Sequence, residues 1–219
     1  MMAPAKKPAT QASIIIPEIK AIQKAFDHFN RHLFGNELPQ VIITLHRARN
    51  AAGYFWGEKF LARHVDLDEA DVAHEIALNP DTFAGVDEKE VASTLVHEMA
   101  HLWQQVFGKP SRNGYHNKEW ADKMDEIGLP PISVPEGKRT GQNCTNGIKA
   151  GGPFDVAYGK LKGFKLGWQS RPQAKTPGGS NRNKVKFTCP DCGQNAWAKE
   201  GASLVCGLCN EPMIDWSPA

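Results

Sequence analysis

Asp87-Glu88-Lys89-Glu90-Val91-Ala92-Ser93-Thr94-Leu95-Val96-His97-Glu98-Met99-Ala100-His101-Leu102-Trp103-Gln104-Gln105-Val106 is the stretch whose reading decides the fold. Asp87 and Glu90 are spaced like a capping box with Asp in place of Ser or Thr, so a helix is expected to start near Glu88. At about 100° per residue, Glu90, Thr94, His101 and Gln105 fall on one side with His97, while Val91, Leu95, Met99, Leu102 and Val106 form the opposite, apolar stripe. Gly108 and Pro110 end the pattern. Two histidines four residues apart on a helix point the same way and can reach one ion. Glu98, beside the first, is then placed to take a proton from water at that ion.

Around this helix the chain alternates short elements. Ile19, Ile22, Phe26, Phe29 and Leu33 recur at helical spacing after Pro17, and Gly35 closes that segment. Residues 1–16 are expected to be a flexible lead-in. Val41–Arg47, Tyr54–Phe60 and Glu75–Leu78 are apolar or β-branched and predict strands, the last stopped by Asn79-Pro80. A short helix with Trp120, Met124 and Ile127 on its apolar stripe is expected after His116. The order predicts an α+β fold, with helices packed on a small antiparallel or mixed sheet. Residues 17–134 form its main domain, 135–186 a basic Gly- and Pro-rich linker ordered in part at its aromatic residues, and 187–219 a small terminal module.

A catalytic zinc site takes three protein ligands and leaves a fourth position for water. His97, His101 and His116 supply the three nitrogens in this reading, with Glu98 as general base. Glu119 and Glu126 are the alternatives for the third ligand. His28, His32, His46, His64 and His74 lack comparable spacing and read as surface or structural. Tyr115, beside His116, is a candidate transition-state stabiliser.

Four of the five cysteines form the pairs Cys189-Pro190-Asp191-Cys192 and Cys206-Gly207-Leu208-Cys209, separated by thirteen residues. That spacing predicts a closed four-thiolate structural zinc site, the second zinc of the chain. A cytidine-deaminase assignment fails, because no H-x-E element lies ahead of a P-C-x-x-C. Cys144 reads as an incidental free thiol. No segment has the roughly 20 apolar residues of a membrane span, and the Ala-, Pro- and Lys-rich start lacks a signal-peptide core. A cytoplasmic location, nucleoid-associated in a bacterium, is the expectation.

The net charge of +2 conceals a segregation. Residues 138–186 carry 11 Lys and Arg against one acid, Asp155, whereas residues 1–137 carry 14 basic against 19 acidic side chains. A basic block between acidic segments is the footprint of a polyanion partner. Phe154, Tyr158, Phe164 and Trp168 within it could stack on bases or pack the segment onto the main domain.

Several strings, taken in order, carry a family resemblance. Phe29-Asn30-Arg31-His32-Leu33-Phe34 with Leu38-Pro39, Ala52-Gly53-Tyr54-Phe55, Ile76-Ala77-Leu78-Asn79, Thr94 to His101, and His116-Asn117-Lys118-Glu119-Trp120 resemble SprT-like (Spartan-type) metallopeptidases over about residues 18–130. The resemblance implies a zincin-type minimal fold with His97, His101 and His116 as ligands and Glu98 as base. It also implies proteolysis of proteins bound or crosslinked to DNA, with single-stranded or damaged DNA as partner. Asn117 is a departure, since family members often have Gly there. A DNA-associated adaptor with structural zinc, or a zinc hydrolase acting on free peptides, are the competing functions.

Overall fold

The computed structural model describes residues 13–48, 51–63, 71–112, 114–133, 137–171 and 184–215. It divides into two compact units, Met1–Pro172 and Gln173–Ala219. His64 lies outside the described residues, as do most of the expected lead-in and residues 172–183 of the expected linker.

In the first unit, helix α1 spans Ile15–Leu33. It begins before Pro17, not after it, because proline is tolerated in a first turn whose N–H groups lack helical partners anyway. Buried Asn30 clamps the chain after the helix: its Nδ2 donates to Leu38 O at 3.0 Å and its Oδ1 accepts from Leu38 N at 3.1 Å. Gly35 and Asn36 turn with φ of 64° and 62°, the left-handed region that favours these two residue types.

Strands β1 (Ile42–Leu45), β2 (Gly53–Leu61) and β3 (Val72–Leu78) form a mixed sheet in the order β1-β3-β2. β1 runs parallel to the central strand and β2 antiparallel, with a register shift between Trp56 and Phe60. Asn79 joins the sheet's loops by donating to Ala48 O and Ala51 O at 2.8 and 2.7 Å. Helix α2 (Glu88–Phe107) starts as its sequence predicts, with Asp87 Oδ1 accepting from Glu90 N at 2.8 Å. Its apolar stripe meets Phe26 and Phe29 of α1 and Ile76 and Leu78 of β3 in one core. Helix α3 (Lys118–Glu126) adds Trp120 and Met124 to that core.

The boundary expected at residue 134 falls inside this unit. β4 (Pro131–Ser133) pairs with β5 (Cys144–Asn146), and α4 (Pro153–Lys160) packs on α1. Phe154 is fully buried and stacks on Phe29 at 5.4 Å between ring centroids. Phe164 is buried too, and Glu18 of α1 accepts a hydrogen bond from Gly167 N at 2.9 Å. The aromatic residues of the basic stretch thus close the core, except Trp168, which is exposed.

The second unit holds β6 (Lys184–Thr188), β7 (Asn195–Lys199) and β8 (Ile214–Asp215), antiparallel in the order β7-β6-β8. The described residues thus give a mixed α+β architecture of four helices and small sheets.

Candidate metal centre

α2 supplies His97, Glu98 and His101 from consecutive turns, and the short strand-like bridge before α3 supplies His116. That bridge is a pair of backbone bonds between His116 and Gly141, at 2.8 and 3.0 Å. The three imidazoles each offer a nitrogen within 4.8 Å of the others. All three sit on the indole of Trp120, with ring centroids 4.3–5.2 Å away. Trp120 is fully buried, and among the described residues its Nε1 is a buried donor without an acceptor. Its role is that of an apolar floor under the site.

The outer nitrogens of two rings are fixed. His97 Nδ1 is 3.1 Å from Asn146 Oδ1, and His116 Nδ1 is 3.0 Å from Gly141 O. Each of those partners is an acceptor, so each Nδ1 carries the proton and each Nε2 presents a lone pair. Yet the two Nε2 atoms face one another at 3.2 Å. Two lone pairs at that separation repel unless a cation lies between them. Nitrogens about 2.0–2.1 Å from a tetrahedral zinc are about 3.3 Å apart, so the donor set fits such an ion.

Electrostatics agree with this. Burial first, and then the neighbouring His116, lower His97 to about 3, and burial also lowers His101 and His116. Neutral imidazoles are the form that ligates. Burial raises Glu98 to about 8. Its Oε1 lies against the first residue of β2: a Cβ on Gly53 would stand 3.2 Å from it and 2.9 Å from Ala77 O. Gly53 therefore lets sheet and carboxylate approach closely.

Glu119 and Glu126 are not brought to the histidines. Glu119 Oε2 accepts from Gln104 Nε2 and Lys109 N, both at 2.7 Å, and exposed Glu126 pairs with Lys123. Asn117, the departure from the pattern that the resemblance implies, has an ordinary extended backbone and caps α3 through Trp120 N at 3.0 Å. Its amide also bonds Gln104 Nε2 at 2.7 Å and Lys109 O at 3.0 Å, tying the His116 segment to α2. His28 bonds Ala157 O, His32 bonds His28 O, and His74 accepts from Glu58 N. His46 and Tyr115 line the cleft in front of the histidines, as does Cys144, whose thiol burial pushes up.

That cleft has a volume of about 1300 Å³, above the roughly 300–1,000 Å³ of small-ligand pockets. β2, an edge strand, forms one wall from Gly53 to Phe60, and residues 142–146 form part of another. Asn146 and Gly141 escape sequence reading because β5 is three residues in a Gly- and Asn-rich stretch without period. Nothing in the string signals that its amide holds His97.

In the second unit the four cysteine sulfurs lie within 4.8 Å of one another, with Cys192 and Cys206 Sγ 3.6 Å apart. Tetrahedral zinc with Zn–S of about 2.3 Å puts sulfurs about 3.8 Å apart, so this set also fits a metal. Backbone N–H groups of Cys209 and Leu208 lower Cys206 to about 7, while the Cys192 thiol, followed by burial, pushes Cys209 up to about 12. Among the described residues no helix is long and apolar enough to cross a membrane.

No solved structure matches the chain. It is similar to an uncharacterized protein in the mucB 3' region of Salmonella typhimurium, 45% identical over 42 residues, which are 19% of this chain and 57% of that protein. The chain therefore spans a little over half of that relative's length. The model of the SprT-like family matches residues 22–139, more than half of the sequence and every residue of the histidine cluster. This chain belongs to the SprT-like family.

Proposed function

We propose that the chain is a zinc-dependent endopeptidase, with His97, His101 and His116 as metal ligands and Glu98 as general base. The observation that carries this is the 3.2 Å approach of two unprotonated Nε2 atoms beside a buried carboxylate at the foot of an open cleft. A zinc ion held there supplies a Lewis acid and brings the pKa of a water toward about 7. Glu98 takes the proton of the attacking water on a carboxylate oxygen and returns it to the leaving amine. Asn146 and Gly141 O keep the Nε2 atoms of His97 and His116 free to ligate. The unpaired backbone edge of β2 suits an extended polypeptide, which would add to it as a strand. The four cysteines hold a second, structural zinc.

The finer reading is that the substrates are proteins bound or crosslinked to DNA. Its support is the basic block of residues 138–186 and the activity that the family resemblance carries. The test is cleavage of a DNA-binding protein with and without single-stranded DNA, by wild type and Glu98→Gln at equal zinc content. Cleavage requiring both DNA and Glu98 is expected. Cleavage of free peptides regardless of DNA would reduce the reading to a general peptidase. No cleavage, with zinc and DNA both bound, would leave a DNA-associated adaptor.

A further inference from the structure

Glu119, close enough to His116 in sequence to be weighed as a ligand, is spent on fastening a loop, and Gln104 is the hub of that fastening. Gln104 lies two turns after His97 on the same side of α2, and only 2% of it is exposed. Its Nε2 gives both hydrogens to the segment that carries the third histidine, one to Asn117 Oδ1 and one to Glu119 Oε2, each at 2.7 Å. Asn117 Nδ2 donates to Lys109 O at 3.0 Å, and Lys109 N donates to Glu119 Oε2 at 2.7 Å. The four residues close a ring of hydrogen bonds across the neck of a loop whose ends are Lys109 and Asn117. Gly108 leaves room for it: a Cβ there would stand 2.5 Å from Glu119 Oε2. The N–H of Lys109, and then Gln104, hold the Glu119 carboxyl below its usual range, so these are bonds to an anion, the stronger kind.

His116 stands just inside that neck. Its bonds to Gly141 set the direction of its ring, but Gly141 is no part of α2. The separation of His116 from His97 needs a tie to α2 itself, because two lone-pair nitrogens at 3.2 Å push apart. Gln104 is such a tie. It reaches from the helix that bears His97 and His101 to the residue that follows His116. We propose that Gln104, through Asn117 and Glu119, is a positioning residue for the metal site: it holds the third histidine at ligating distance from the other two before an ion arrives. A ligand set ordered in advance does not have to be ordered by the ion, and the saving appears as metal affinity. This rests on the reading above that the three histidines are ligands; it depends neither on nucleic acid nor on cleavage.

The experiment titrates the full chain with cobalt, an ion that takes zinc's place and whose spectrum tells the two sites apart. At four thiolates it gives intense sulfur charge-transfer bands, and at three imidazoles weak visible bands that report the ligand geometry. Affinity at the histidines is read against a competing chelator for wild type, Gln104→Leu, Gln104→Glu, Glu119→Gln, the exchange Gln104→Glu with Glu119→Gln, and Asn30→Ala. The last removes a buried amide that also makes two bonds, but on α1. Melting temperature and circular dichroism accompany each variant. Gln104→Leu is expected to weaken cobalt at the histidines about 10- to 100-fold and to shift its visible bands, with the thiolate site unchanged. Gln104→Glu sets two carboxylates together and is expected to lose at least as much. The exchange reverses the pair and is expected to regain most of that loss; no recovery overturns the proposal. Asn30→Ala is expected to lower the melting temperature and leave both affinities alone. Should Gln104→Leu not fold, Glu119→Gln decides, with a smaller loss of the same kind expected. If the deciding variant keeps affinity and spectrum while its melting temperature falls as in Asn30→Ala, the proposal is overturned: the ring then only fastens α3 to α2, and the ligand reading stands. A wild type whose histidines take up no cobalt overturns both.

Discussion

Glu98 is a carboxyl that the fold makes hard to ionise. Burial raises it from 4.5 to about 8, while burial and His116 lower His97 from 6.5 to about 3. Between pH 4.5 and 8 the folded, metal-free protein holds a proton at Glu98 that the unfolded chain releases, so this group's contribution to stability falls as pH rises through that window. His97 acts in the opposite sense: its contribution is whole above about pH 6.5 and is lost as pH falls toward 3. In chelator-treated protein, Glu98→Gln is therefore expected to raise the melting temperature over wild type by more at pH 8 than at pH 5. The difference is on the order of a few kcal/mol, and a pH-independent difference would contradict the assignment. A divalent cation pulls a neighbouring carboxyl back toward ionisation, so restoring zinc should narrow the gap. Asn146 carries a second expectation. Asn146→Ala leaves the His97 Nδ1 proton without its acceptor and should weaken metal binding about 10- to 100-fold in competition with a chelator. Unchanged affinity would mean that the amide does not orient the ring.

At the level of elements, how far the string could be read tracked how local each interaction is. The cap of α2 and its two faces depend on neighbours within a few residues, so composition and spacing carry them; the bridge that seats His116 runs to Gly141, twenty-five residues on, and they do not carry it. β4, β5 and α4 do not. β5 exists because β4 lies beside it, and α4 forms over Pro153–Lys160, with two glycines ahead of it, because Phe154 finds Phe29 across the core. A basic, Gly-rich composition says only that a segment can remain solvated, and here tertiary packing overrides it. Arg139 of that basic run is spent on Asp122 and Asp125 of α3, and Lys89 reaches Asp155 of α4 at 2.6 Å. Phe154→Ala tests the point. A linker residue would change stability by under about 0.5 kcal/mol, whereas a fully buried phenylalanine should cost about 3–5 kcal/mol. Denaturant unfolding of the first unit, followed by tryptophan fluorescence, separates these outcomes.

Across the whole molecule, the two units differ in what holds them together. The first has a continuous apolar core from Ile22 to Phe164, drawn from all four helices and the sheet, and needs no ion to bury it. In the second, Phe187, Cys189 and Cys206 are the buried apolar residues among those described, while Trp197, Val205, Leu208 and Ile214 are exposed. On the proposed reading, in which the four cysteines hold zinc, a module with so small a core derives its folding free energy from that metal, on the order of 10 kcal/mol for a structural zinc. The paired change Cys189→Ser, Cys192→Ser should therefore lower the zinc content from two ions per chain to one and abolish the fold of the second unit. Removing two thiolates leaves an incomplete ligand set that cannot close a tetrahedron. The first unit should keep its melting temperature and its histidine-bound metal, because His97, His101, His116 and their partners Asn146 and Gly141 all lie within Met1–Pro172. Atomic absorption and calorimetry on the same sample decide it: one zinc with the first unit's transition intact supports two separately stabilised units. Loss of both transitions would mean that the metal of the second unit also holds the first.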